Sequence, residues 1–154
     1  MFLDIAGKLS GGLVLGLGGL GSCLGILAAA QAAAGAWASE GKAGKNPSFQ
    51  YVIMIAAPIS QTLYAMIVMM KIMGFKAVPA DAGMLMLGVA LGVGVIEMVS
   101  AWCQGLIGAA GVRCLNENGG KGFGFIIVAL GIIETVGIFG MVFGLQLLGS
   151  LGGA

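Results

Sequence analysis

Polar and apolar positions along this chain are segregated into long blocks rather than interleaved. Charge-free runs cover residues 9–39, 46–70, 122–133 and 135–154. A further largely apolar stretch, residues 82–112, carries a single charged residue, Glu97. Crossing the ~30 Å hydrocarbon layer takes about 20 apolar residues. The pattern therefore predicts four membrane-spanning helices, over about 10–38, 48–75, 81–112 and 121–150. Between the first two stands Glu40-Gly-Lys-Ala-Gly-Lys-Asn-Pro, and between the last two Arg113-Cys-Leu-Asn-Glu-Asn-Gly-Gly-Lys. Gly, Asn and Pro there end the helices.

Composition agrees with this reading: of 154 residues 59% are hydrophobic and 8% charged, with mean hydropathy +1.08. Soluble domains carry about 25% charged residues. A formal net charge of +1 supplies no basic field for nucleic acid. There is no histidine, and Cys23, Cys103 and Cys114 lack metal-ligand or disulfide-framework spacing. The N-terminal apolar run is too long for a signal-peptide core and has no basic leader, so it is read as a retained helix.

Thirty glycines lie mostly inside these apolar runs, where small residues let helices approach closely. Gly12/Gly16, Gly21/Gly25 and Ala28/Ala32 supply such pairs on the first span, Gly88/Gly92 and Ala101/Gly105 on the third. The second and fourth carry more bulk, including Tyr64, Met69, Met70, Phe139, Phe143 and Leu147. Spans one and three are thus expected inside, two and four outside.

The chain also repeats. A shift of 73 residues places Gly19 on Gly92, Gly21 on Gly94, Ala28 on Ala101, Gln31 on Gln104 and Thr62 on Thr135, without a gap. Gln61 then falls on Glu134. Each half holds two spans, so both halves enter the membrane in the same direction, unlike inverted-repeat transporters. The expected units are hairpins at 1–78 and 79–154. Lys42, Lys45, Arg113 and Lys121 lie at the turns, against Lys8, Lys71 and Lys76 opposite, which leans toward cytoplasmic turns.

Candidate chemistry rests on the few polar groups within the spans. An ionisable group at membrane depth costs roughly 2.5–3.5 kcal/mol on insertion scales, so Glu134 is the foremost functional candidate. Gln61 and Glu134 each lie about 17 residues beyond mid-turn and Gln104 about 13 before it, which puts the three within about 6 Å in depth. Ala57, Gln61 and Tyr64 share a helix face with Ser60 beside it. Pro58 bends the helix and deprives the Met54 carbonyl of its partner. A carboxylate, two amide oxygens, a hydroxyl and a backbone carbonyl suit a hard cation, and one formal negative charge suits a monovalent one. Sodium is the first choice and a proton the alternative. Glutamines acting merely as interhelical packing glue would be the bland explanation.

The run Ala57-Pro-Ile-Ser-Gln-Thr-Leu-Tyr64, the run Ala101-Trp-Cys-Gln-Gly105 and Ile132-Ile-Glu-Thr135 resemble the proteolipid rotor component (of K or c type) of V-type and archaeal-type rotary ATPases, most closely the sodium-binding bacterial members. The resemblance implies an all-α membrane protein of tandem hairpins in a closed homo-oligomeric ring in the cell membrane. It implies sodium ligands at the Ala57 carbonyl, Ser60, Gln61, Gln104 and Glu134, with Tyr64 supporting Glu134. It further implies a stator subunit bearing an arginine and central-stalk subunits docked at the polar turns. The chain has no phosphate-binding loop, so ATP chemistry is expected elsewhere. Ser60 replaces a common threonine, Thr62 a common glycine, and Ala57 a larger residue; none removes an oxygen donor. Glu97 departs from the pattern, seven residues before Gln104 and about 10 Å toward the other side. Lining the ring interior, standing protonated and belonging to an exit route are its open roles, an interior non-coupling position being favoured. A free-standing four-helix pore or structural protein is the reading from another class.

Overall fold

The computed structural model describes residues 2–75 and 82–151, with side chains from residue 5 onward except Lys8. Among these described residues there are five α-helices: α1 (Phe2–Lys42), α2 (Gln50–Ala56), α3 (Ser60–Met73), α4 (Ala82–Glu117) and α5 (Phe123–Ser150). A single 3-10 turn, Ala57–Ile59, joins α2 to α3. These make four segments long and apolar enough to cross a membrane, the second being Gln50–Met73. The chain is an all-helical multi-pass membrane protein, with no strand among the described residues. Helix is imposed despite the glycines because lipid offers no other partner for backbone N–H and C=O groups. Lys76, the Lys8 side chain and the expected hairpin boundary at 78/79 lie outside the described residues.

Three expected helix ends need correction: α1 begins at Phe2 rather than near residue 10, and two C-terminal ends lie further on. α1 runs on to Lys42 and α4 to Glu117, so Arg113 through Glu117 is helix rather than turn. At 1.5 Å per residue α1 extends about 60 Å and α4 about 54 Å, well beyond the hydrocarbon. Both ends close with the same device. Gly44 (φ +66°) and Gly119 (φ +61°) adopt left-handed conformations that would strain a side-chain-bearing residue. The following amides, Lys45 N–H and Gly120 N–H, then reach back to the carbonyls of Glu40 (2.9 Å) and Leu115 (2.7 Å), the six-to-one bond of a Schellman ending. The first turn spans seven residues (43–49) and the second five (118–122). The 73-residue register is kept across the turns, since α2 begins at Gln50 and α5 at Phe123. What differs is the partition: α4 takes up two residues that the second turn gives away. Glu40 also fastens its own turn, accepting from Ser48 N–H (2.9 Å) and from Tyr51 Oη (2.7 Å).

Register between helices follows from the close approaches. Along α1, Gly11 faces Met73, Gly18 faces Ala65 and Gly25 faces Pro58, so α1 and α2–α3 are antiparallel. Gly21 lies against Met98, and Gly25 against Ala101 and Gly105, so α1 and α4 run parallel. Gly111 meets Ile126 while Gly144 meets Val93, so α4 and α5 are antiparallel. The two hairpins thus enter in the same direction, as the repeat requires.

Among the expected small-residue pairs, Gly21/Gly25 and Ala101/Gly105 form the α1–α4 seam, where a Cβ at Gly21, Gly25 or Gly105 would overlap backbone atoms of the facing helix. Gly12, Gly16, Gly88 and Gly92 do not: a Cβ there meets nothing within 4 Å. They share the outer faces of α1 and α4 with exposed Leu20, Leu27, Val95 and Trp102. Spans one and three are therefore interior on one face only. α2–α3 and α5 expose bulk as expected, with Phe125, Phe139 and Phe143 among it.

The interior has three tiers. An apolar cluster around Val14, Val68, Met86 and Leu148 fills the end away from the turns. Another around Ala33, Tyr51, Met54 and Leu115 fills the turn end. Between them lies a belt of buried polar side chains: Ser22, Gln61, Glu97, Ser100 and Gln104.

Glu97 is wholly buried, so it sits inside the bundle of its own chain rather than lining a ring interior. Neither carboxyl oxygen has a hydrogen-bond partner. Its room comes from a missing side chain: a Cβ at Gly137 would lie 2.7 Å from Glu97 Oε2. The two residues are sterically matched. Gly137→Ala should lower thermal stability in detergent by about 1–3 kcal/mol through overpacking. Adding Glu97→Ala should recover most of that loss, giving a positive coupling in the double-mutant cycle.

A candidate cation pocket beside Glu134

Helices α2, α3, α4 and α5 converge on an open cavity of about 460 Å³ at the level of the Pro58 break. Its polar lining comes from Ala57, Ser60, Gln104 and Glu134, and small residues Ala56 and Gly131 keep it roomy. Four of the expected site residues therefore meet at one place, from three segments of the fold.

The break itself shapes one wall. Proline has no N–H and its ring crowds the preceding turn, and the chain answers by tightening into the 3-10 turn Ala57–Ile59 before α3 begins. Pro58 is buried, its ring against Gly25 of α1. The Ala57 carbonyl accepts from both the Ser60 N–H and Ser60 Oγ, the latter at 3.1 Å. Ser60 Oγ also lies 3.1 Å from Gln61 Oε1. A hydroxyl has one proton, so it serves one of these oxygens at a time. Met54, whose carbonyl faces the missing N–H, is approached closely by Gly108: a Cβ there would come 2.9 Å from Met54 O.

Glu134 projects from α5, partly exposed, and accepts from Tyr64 Oη at 2.8 Å. The supporting role expected of Tyr64 thus has its hydrogen bond. Gln104 reaches from α4 and donates Nε2 to the Leu130 carbonyl at 3.3 Å. Its other atom, Oε1, is buried with no partner. An unpartnered buried amide oxygen costs about 1–3 kcal/mol, and here it belongs to a residue in the wall of the same cavity as a carboxylate. A cation would satisfy both.

Gln61 differs from the other four. It is fully buried and stands behind the wall, its Nε2 donating to Ser100 Oγ at 3.2 Å. Its Oε1 faces the site through Ser60. Ser100 in turn donates to the Ile133 carbonyl at 2.9 Å, beside Glu134. Sequence reasoning did not single out Ser100. Its signal was present: it lies four residues before Gln104, on the same face of α4. Glu97 does not line the cavity. All three cysteines are free and take no part.

No curated protein matches the chain. Residues 87–147, less than half of the chain, match the family model for the C subunit of ATP synthase, a segment that takes in both Gln104 and Glu134 and most of α4 and α5.

Proposed function

We propose that the chain is an ion-carrying rotor subunit in the membrane sector of a V-type rotary ATPase, with sodium as cargo. One observation carries the choice of ion site: the orphaned Gln104 Oε1 in the wall of a cavity shared with Glu134, Ser60 and Ala57. The similarity of residues 87–147 to the C subunit of ATP synthase supports the rotor reading. The 73-residue shift maps that segment onto about 14–74, in keeping with two tandem hairpins, 1–78 and 79–154.

In this reading sodium is held by a Glu134 carboxyl oxygen, Gln104 Oε1, Ser60 Oγ, the Ala57 carbonyl and Gln61 Oε1. Binding turns the Ser60 proton away from the Ala57 carbonyl and Gln61 Oε1, freeing lone pairs for the ion. Tyr64 keeps its bond to Glu134 and fixes the carboxylate. One positive charge then cancels one negative charge, and the loaded site can face lipid. An empty carboxylate there loses several kcal/mol of hydration. Copies of the chain form a closed ring, which turns with filled sites until an arginine on a stator subunit displaces the ion. The turns dock on a central stalk on the cytoplasmic side of the cell membrane. The chain performs no ATP chemistry itself. A proton is the alternative occupant of Glu134.

Carbodiimide labelling of Glu134 decides between the two ions. Labelling requires the protonated carboxyl, so bound sodium should slow it. Sodium and protons compete for one oxygen pair, so the sodium needed for half-protection should rise as pH falls. Gln104→Leu should raise that concentration by about tenfold, the equivalent of about 1.4 kcal/mol, while leaving sodium-free labelling intact. Labelling indifferent to sodium at every pH would transfer the cargo to protons.

A further inference from the structure

α1 contributes no residue to the cavity, yet a stripe of it grips the Pro58 break from behind. Gly18, Ser22 and Gly25 are spaced i, i+4 and i+7, so they fall on one helix face. At Gly25 the missing side chain seats the proline ring: a Cβ would stand 2.9 Å from Pro58 Cβ. Ser22 is buried and donates Oγ to the Pro58 carbonyl at 2.5 Å. Thr62 Oγ1 donates to Ser22 Oγ at 2.7 Å, with the Gly18 carbonyl a second acceptor at 3.4 Å.

Ser22 and Ser100 are the serines that, among the described residues, bond a carbonyl of another span. Ser10, Thr135 and Ser150 each bond the carbonyl three residues back on their own helix, which does little for tertiary structure. Ser22 bonds across helices, 36 residues away in sequence, to the central residue of the 3-10 turn. Fixing the Pro58 carbonyl fixes the rigid Pro58–Ile59 peptide plane, and the ring-locked φ of Pro58 leaves a single rotation, its ψ, between that plane and the Ala57–Pro58 plane. Those planes set the pitch of the Ala57 carbonyl and of Ser60, the two oxygen donors that α2–α3 presents to the cavity.

We propose that Ser22 is a positioning residue for the cation pocket, latching the Ala57–Ile59 turn at the pitch that lets Ala57 O and Ser60 Oγ share an ion with Glu134. The proposal rests on the sodium reading of that pocket. Thr62 orders the latch by directing the Ser22 hydroxyl proton to Pro58. Because the latch acts on donors of α2–α3 and not on the carboxylate, it governs sodium affinity and the preference for sodium over the larger potassium ion. It leaves proton loading of Glu134 alone.

The test compares intact rings of wild type, Ser22→Ala, Ser22→Thr and Thr62→Val by carbodiimide labelling of Glu134 against sodium and potassium. Ser22→Ala should raise the sodium concentration for half-protection about five- to tenfold, the scale of one lost hydrogen bond. It should also narrow the sodium-to-potassium ratio and leave the sodium-free pH profile of labelling in place. Ser22→Thr, which keeps the hydroxyl, should return protection to within about twofold of wild type. Thr62→Val should give a smaller rise of about two- to threefold, and it carries the test if Ser22→Ala does not assemble. Protection by Ser22→Ala equal to wild type overturns the latch, as does an equal displacement of its sodium-free profile, which marks general loosening. If wild type itself ignores sodium, the sodium reading falls and the latch falls with it. If wild type is protected and the variants match it, the latch alone fails.

Discussion

The contact on which the rest depends is the one between the backbones of α1 and α4. Gly21, Gly25 and Gly105 bring the two helices so close that a single added Cβ would collide with main-chain atoms opposite. In lipid no hydrophobic gain drives such a contact; packing area does, and small residues maximise it. The consequence reaches the pocket. With α1 and α4 pressed together, α2–α3 and α5 flank the pair closely enough for Tyr64 to bond Glu134. Gln104 of α4 can then reach between them to the Leu130 carbonyl. A side chain inserted into the seam would move α4 away from the Pro58 break, and the donors would no longer share one cavity.

Legibility in the sequence tracks what lipid forbids. The spans could be read because hydrocarbon excludes charge. Helix ends could not, because hydropathy marks where lipid stops while helix continues until a left-handed glycine ends it, at Gly44 and Gly119. Glu134, Gln61, Gln104, Ser60 and Tyr64 were legible as scarce polar groups at one depth. Ser22 was not, since a serine in a span ordinarily bonds its own helix, as Ser10 and Ser150 do, whereas Ser100 was marked by its place one turn before Gln104. Nothing local separates that habit from a bond across helices. The same holds for glycine pairs: Gly12/Gly16 reads like Gly21/Gly25, and only the direction each faces distinguishes an open surface from a seam. Glu97 was visible as an anomaly, but its burial depended on the gap at Gly137, which sequence spacing alone does not pair with it.

The repeat explains why the two hairpins are alike yet carry different chemistry. Gln61 stands where Glu134 stands in the second half, and Pro58 where Gly131 stands. The first hairpin therefore has an amide in place of a charge and a 3-10 turn in place of continuous helix. Its threonine follows the same division: Thr62 reaches across to Ser22, whereas the matching Thr135 bonds the Ile132 carbonyl on its own helix. The first half supplies Ala57 and Ser60 as neutral oxygen donors; the second supplies Gln104 and the carboxylate.

That division has an electrostatic consequence. A site built from two equivalent halves, each with its own carboxylate, would hold two negative charges within a few ångströms, and one monovalent ion would leave it charged. A net charge at the bilayer centre costs about 2.5–3.5 kcal/mol or more, enough to hold a loaded site out of lipid. With Gln61 in place of the second carboxylate, one monovalent ion brings the cavity to neutrality while the number of oxygen-donating side chains is unchanged. A divalent ion would leave the same cavity with a net positive charge and the same penalty. Under the rotor reading, selection for single charge therefore comes from the lipid phase the loaded site must cross, and the geometry of Ala57, Ser60 and Gln104 has only to choose among monovalent ions.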